Sequence, residues 1–259
     1  MILLLLAQVI DVASRGESLA IARQDGVTLD GREVKTTVSQ IAGVAFAPDG
    51  SLCIFGGRPG KAGEAQLVGS WSASDHEDMV SAVAFGDSWV ATGSHDRTIA
   101  IRGVRKLEGH AGAVLALAAH GKMLASGGAD ATIRLWEPAT GELKRTIVNH
   151  GDRVGALAWS PDGKYLASGS RDRTVRIWQP EIGRLVRIVR GHDGEVTALA
   201  WGKGALVSGC ADGKVRVIDE GSDAILATHD AGGHVSAVAV TEKQIVVAAA
   251  GPELRRWGR

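Results

Sequence analysis

Short apolar runs broken by glycine-rich polar turns recur along the whole chain. The stretch from Val154 shows the pattern most fully. VGALAW is followed by the turn Ser160-Pro161-Asp162-Gly163, then by KYLASG, a polar turn containing Asp172, TVRIW, a Pro/Gly turn and RLVRIVR. Each run has strand length, TVRIW alternates β-branched and polar residues, and turn residues punctuate the spacing. No stretch of comparable length carries a helical period. The pattern predicts an all-β protein built from units of four short strands.

The unit repeats. It runs as HAGAVLALAAHGKMLASGGADATIRLW from His110 to Trp136, as HGDRVGALAWSPDGKYLASGSRDRTVRIW from His150 to Trp178, and as HDGEVTALAWGKGALVSGCADGKVRVID from His192 to Asp219. A fourth copy spans His76 to Gly103, and the His-to-His steps are 34, 40 and 42 residues. Weaker copies extend it: IAGVAFAPDGSLCIFGG from Ile41, four short strands between Val9 and Gln40, and three strands in the final stretch from His234. First strands at Val9, Ile41, Val80, Val114, Val154, Val196 and Val235 predict seven units, with six or eight as alternatives. The last unit lacks a strand, and Ile2 to Leu6 is an apolar strand without a unit. A circular array lets the N-terminal strand complete the last unit and removes exposed sheet edges. This makes residues 1–259 one domain. It also accounts for the apolar start, which lacks the basic residues and length of a signal peptide; a remnant signal is the alternative.

Gly-His at 109–110 and 191–192, the SGxxD turns, and Trp136 and Trp178 make the chain resemble the WD-repeat β-propeller family. The likeness is strong over residues 74–220, although Glu137 and Gln179 stand where the family's Asp follows Trp. The resemblance implies a seven-bladed propeller of four-stranded antiparallel blades. It also implies a buried hydrogen-bonded tetrad within each blade. By position these are His110, Ser126, Asp130 and Trp136, and His150, Ser168, Asp172 and Trp178. Partial sets are His76, Thr92 and Asp96, with Arg102 at the Trp position, and His192, Ser208 and Asp212, with Ile218 there. Those two blades are expected to lean more on apolar packing. The family implies a protein-interaction scaffold that binds on the loop face near the channel mouth. That face would carry His95, Arg97, Arg153, Arg171, Arg173, Asp193 and Glu195.

Chemistry elsewhere changes little. His–Ser–Asp sets recurring at equal spacing suit a structural network, since an enzyme needs only one triad. In this fold first strands line a channel. Five of them, VSAVAF, VLALAA, VGALAW, VTALAW and VSAVAV, offer no acid, base or metal ligand, which argues against an enzyme. Gly56-Gly57-Arg58-Pro59-Gly60-Lys61 has the wrong spacing for a phosphate loop, and Ala62 stands where Ser or Thr is needed. No Cys/His cluster has zinc spacing, so no metal or cofactor is expected. Cys53 and Cys210 read as core residues of a reducing, cytoplasmic protein. The net charge of zero argues against a nucleic-acid partner, and no apolar run reaches membrane-spanning length. Charge is nonetheless uneven: residues 149–190 hold 8 Lys/Arg and 4 Asp/Glu, whereas 191–231 hold 3 and 7. The expected function is non-catalytic binding of a protein partner. The alternatives are a structural subunit held through blade edges, and a propeller enzyme or small-ligand binder with a loop-face site.

Overall fold

The computed structural model describes residues 9–15, 18–202, 204–241, 243–251 and 253–258. All regular structure among them is strand, arranged as seven antiparallel meanders. Blade 1 comprises Val9–Arg15, Ser18–Arg23, Gly26–Leu29 and Arg32–Val34, and blade 2 comprises Ile41–Phe46, Leu52–Gly56, Gly63–Leu67 and Trp71–His76. Blade 3 runs from Val80–Phe85 to Arg105–Leu107, blade 4 from Val114–His120 to Glu142–Val148, and blade 5 from Val154–Trp159 to Arg184–Val189. Blade 6 runs from Val196–Gly202 to Ile225–Asp230. Blade 7 has three strands among the described residues, Val235–Val240, Gln244–Ala249 and Leu254–Gly258. The predicted pairing of Ile2 to Leu6 with this last strand lies outside the described residues.

The first strands stand side by side around an axis, and that of blade 1 contacts those of both blade 2 and blade 7. Apolar packing seals the last seam: Val12, Leu19 and Ile21 meet Ala237, Ala239, Val246, Ala248 and Leu254. Seven strands converging on one axis leave limited room there, which suits their Ala-, Gly- and Val-rich composition. Each first strand also carries a register shift within its first residues, between Val154 and Ala156 in blade 5 for example. A β-bulge repeated in every blade adds local twist where the strands turn toward the axis.

The second strands are covered on both faces by neighbouring blades, so they read as continuous small and apolar runs. Leu52–Gly56 and Leu166–Ser170 are buried throughout. The glycine of the SG motif follows from this. A Cβ on Gly93, Gly127, Gly169 or Gly209 would lie 2.7, 2.8, 2.6 or 2.4 Å from the first valine of the next blade (Val114, Val154, Val196 and Val235). Each glycine is therefore a socket for its neighbour.

Arginines on the outer strands bind the same seams from outside. Arg145 of blade 4 donates to the Glu181 carbonyl of blade 5 at 3.0 Å, and Arg187 of blade 5 to the Glu220 carbonyl of blade 6 at 2.7 Å. Arg105 of blade 3 reaches the carbonyls of Ala139 and Thr140 in blade 4. Every staple runs from one blade to the following one.

Candidate docking face and central channel

The meander order puts the second-to-third turns and the connections between blades at one end of the ring. Backbone bonds tie them together there: Arg171 N–H to the Arg153 carbonyl, Ala211 N–H to Glu195, and His95 N–H to Met79. The tetrads sit directly beneath. In blade 5, His150 Nδ1 lies 2.7 Å from Asp172 and Nε2 lies 2.7 Å from Ser168 Oγ, which also accepts the Trp178 indole N–H at 2.8 Å. Asp172 takes four further donors, the Gly151 N–H, the Thr174 N–H and hydroxyl, and, at 3.4 Å, the Arg176 guanidinium. Blade 4 repeats the arrangement with His110, Asp130, Ser126 and Trp136.

The electrostatics follow from burial and bonding. Burial alone would raise the Asp172 carboxyl, but hydrogen bonds from Thr174, His150 and Gly151 outweigh it and hold the group down at about 2. Asp96 and Asp130 are lowered by the same balance. Burial lowers His110 and His150, against the pull of their aspartates, so both imidazoles stay neutral near pH 7.

The two partial sets differ from each other. In blade 3 only the indole is missing. His76 still reaches Asp96 at 3.1 Å and Thr92 Oγ1 at 2.8 Å. Arg102, at the Trp position, turns outward and lies over the Trp71 ring at 4.2 Å. In blade 6 the His–Asp link itself is broken. His192 Nε2 bonds Ser208 at 2.9 Å, while Asp212 pairs with buried Arg216 at 2.7 Å. His192 Nδ1 is left buried with no partner. Burial and the adjacent Arg216 push His192 down to about 4. Apolar contacts make good part of the missing indole. Ile225 covers Gly191, as the Trp136 ring covers Gly109 in blade 4.

The residues expected to form a docking face fall into two groups. Arg153 is engaged already, in a two-pronged ion pair with Glu195 at 2.8 and 2.7 Å that bridges blades 5 and 6. Asp193 lies 3.8 Å from Lys214. Arg97 and Arg173, by contrast, are exposed and make no ion pair among the described residues, and Arg171 lies 3.9 Å from Asp152 at the edge of reach. His95 stands beside Arg97, half-buried. Arg97 and Arg173 have φ of 73° and 67°, as Ala131 has 62°, in the turn position that Gly213 fills in blade 6 at 82°. The left-handed region disfavours a side chain.

The channel holds the residue that sequence reasoning missed. It encloses about 290 Å³ and is lined by first strands of all seven blades. The five first strands without an acid, base or metal ligand belong to blades 3 to 7, and Asp11 stands in that of blade 1. The register aligns Asp11 with Ala82, Ala116, Ala156, Ala198 and Ala237, and with Gly43. One carboxylate thus interrupts a layer of small side chains. Aligning all seven first strands on their opening residue would have revealed it. The glycine-rich segment from Gly56 is a second-to-third turn of blade 2, closed by Lys61 N–H to the Arg58 carbonyl. No group of His, Cys, Asp and Glu suited to a metal occurs among the described residues. No helix among them is long and apolar enough to cross a membrane.

The family model for the WD domain, G-beta repeat, matches residues 66–101, 102–137, 141–179 and 183–219, more than half of the chain. Each matched span begins in or just after a third strand and ends at the third strand of the next blade, so blades 3, 4 and 5 are each shared by two matched spans. No curated protein matches the chain.

Proposed function

The chain belongs to the WD-repeat family, and we propose that it is a non-catalytic scaffold that docks a protein partner on the end of the ring carrying Arg97, Arg171 and Arg173. Propellers of this family commonly serve as protein-interaction scaffolds. The observation that carries the choice of face is the pair of exposed arginines, Arg97 and Arg173, each held in a left-handed turn and making no ion pair among the described residues. A planar guanidinium with free donors suits bidentate pairing with a partner's acidic groups. Arg153 and Glu195 contribute to the rim as a pair already satisfied, so they set shape more than charge.

The test replaces Arg97, Arg171 and Arg173 together by Ser and isolates the chain with its bound proteins. The expected result is an unchanged melting temperature and loss of the main co-purifying protein. Retention of that protein by a folded triple variant moves the interface to the blade edges or the opposite end.

A further inference from the structure

We infer that the central channel is a binding site for an alkylammonium group, with Asp11 as its anionic end. The carboxylate is not a requirement of the repeat, because six blades hold Ala or Gly at its register position. Blade 2 is shaped around it. A Cβ on Gly43 would lie 2.5 Å from Asp11 Oδ2, so any other residue there would displace the carboxylate. Its partners are two backbone donors, Val44 N–H on Oδ2 and Val12 N–H on Oδ1, each at 2.8 Å. They orient the group without neutralising it.

Among the described residues Asp11 makes no ion pair. The elements packed against this strand are Ser18–Arg23, Ile41–Phe46, Val235–Val240 and Gln244–Ala249. Arg23 is their one charged residue, and it pairs with Val9 at the strand end. Arg15, on Asp11's own strand, donates to the Pro48 carbonyl. Burial pushes the Asp11 carboxyl up to about 7, against the lowering by the Val44 and Val12 amides. A carboxylate placed in apolar surroundings without a counter-charge costs stability that a bound cation restores.

The rest of the channel selects the cation. Val44, Leu115, Leu117, Leu199 and Val238 give apolar walls suited to a methylene stem. Ser81 and Thr197 spend their hydroxyl protons on backbone carbonyls, Ser81 on Gly93 and Thr197 on Val235, which leaves oxygen lone pairs. A volume of about 290 Å³ sits at the bottom of the range for small-molecule pockets, so it suits a slim chain better than a nucleotide. The stem and ammonium could come from a free amine or from a lysine side chain.

The full-length chain is titrated with n-butylammonium and n-butanol by calorimetry at pH 6 and pH 8, alongside Asp11→Asn and Asp11→Ala. Butylammonium is expected to bind at least about tenfold more tightly than butanol. Binding should strengthen toward pH 8 as Asp11 ionises and weaken by about tenfold or more in both variants. Asp11→Asn keeps the size and an acceptor, and Asp11→Ala installs the residue of five other blades, so folded variants are available for comparison. N-acetyl-lysine amide against N-acetyl-norleucine amide separates the sources. Binding of the lysine compound assigns the site to a partner's side chain, and binding of butylammonium alone assigns it to a free amine. Equal binding of amine and alcohol, equal binding by parent and variants, or no amine binding overturns the inference. The Arg97, Arg171 and Arg173 variant should keep amine binding, so failure here is distinct from failure of the docking face.

Discussion

His192 makes blade 6 a source of acid sensitivity, and its size follows from the geometry. The imidazole is buried, one nitrogen is spent on Ser208, the other is unpaired, and Arg216 has taken the aspartate. The group therefore stays neutral in the fold down to about 4. The same histidine in the unfolded chain takes up its proton near pH 6.5. Between those values the unfolded chain binds one proton more, so stability is full above pH 6.5 and falls as the pH drops toward 4. Over the two units from pH 6.5 to 4.5 that difference amounts to about 2–3 kcal/mol. His192→Gln removes the titration and keeps an amide that can reach Ser208. Urea unfolding followed by tryptophan fluorescence at pH 7.5 and 4.5 compares the two chains. His110, His150 and the lowered aspartates titrate alike in both and cancel. The parent should lose about 2 kcal/mol more than the variant across this interval. Parallel losses, within about 0.5 kcal/mol, would refute the reasoning, since they require His192 to be protonated in the fold and Asp212 to be turned toward it.

Gly169→Ala should destabilise by about 2–3 kcal/mol, because its methyl would meet Val196 at 2.6 Å; adding Val196→Ala should recover part of the loss in thermal melts. Ala131→Gly should raise stability by about 0.5–1 kcal/mol by relieving a left-handed backbone, and an unchanged or lower melting temperature would count against strain at that turn. Arg187→Met should cost about 1 kcal/mol through the lost bond to the Glu220 carbonyl, read as a lower urea midpoint. Cys53, buried and with its thiol pushed up to about 12, should resist iodoacetamide at pH 8 in the native ring and react promptly in denaturant.

The fold was legible because its periodic constraints leave side-chain marks. A valine opens the first strand of six of the seven blades, and in blades 4 to 7 that valine fills a glycine socket of the blade before. Small residues follow because of the axis, and Gly-His and SG-D mark the tetrad turns. The bulges leave no such mark, since a register shift depends on backbone hydrogen bonds and not on residue type. Asp11 was within reach all the same: counted from the residue that opens each first strand, it stands two places after Val9, as Ala82 stands after Val80 and Ala116 after Val114. What the residue types do not show is that this position faces the channel in apolar surroundings. The pairing in blade 6 was also unreadable. Arg134, Arg176 and Arg216 share one register position, yet it is Arg216, in the blade where Lys214 replaces the threonine that donates to the aspartate in blades 3 to 5, that holds its aspartate at 2.7 Å in place of the histidine. The charge asymmetry was read from counts, which do not reveal that Arg153 and Glu195 cancel each other across a seam.

The one-way direction of the arginine staples and valine sockets bears on how the chain is made. A ribosome releases blade 3 before blade 4, so Arg105 waits for the turn at Ala139 and Thr140, and Gly93 waits for Val114. The same wait passes to Arg145 and Gly127, then to Arg187 and Gly169. During synthesis the newest blade is therefore unfinished on its following side, while blade 1 keeps Val12, Leu19 and Ile21 uncovered until blade 7 arrives. A nascent chain that stalls exposes two apolar seams, one at its growing end and one on blade 1, and these are the surfaces a chaperone would meet.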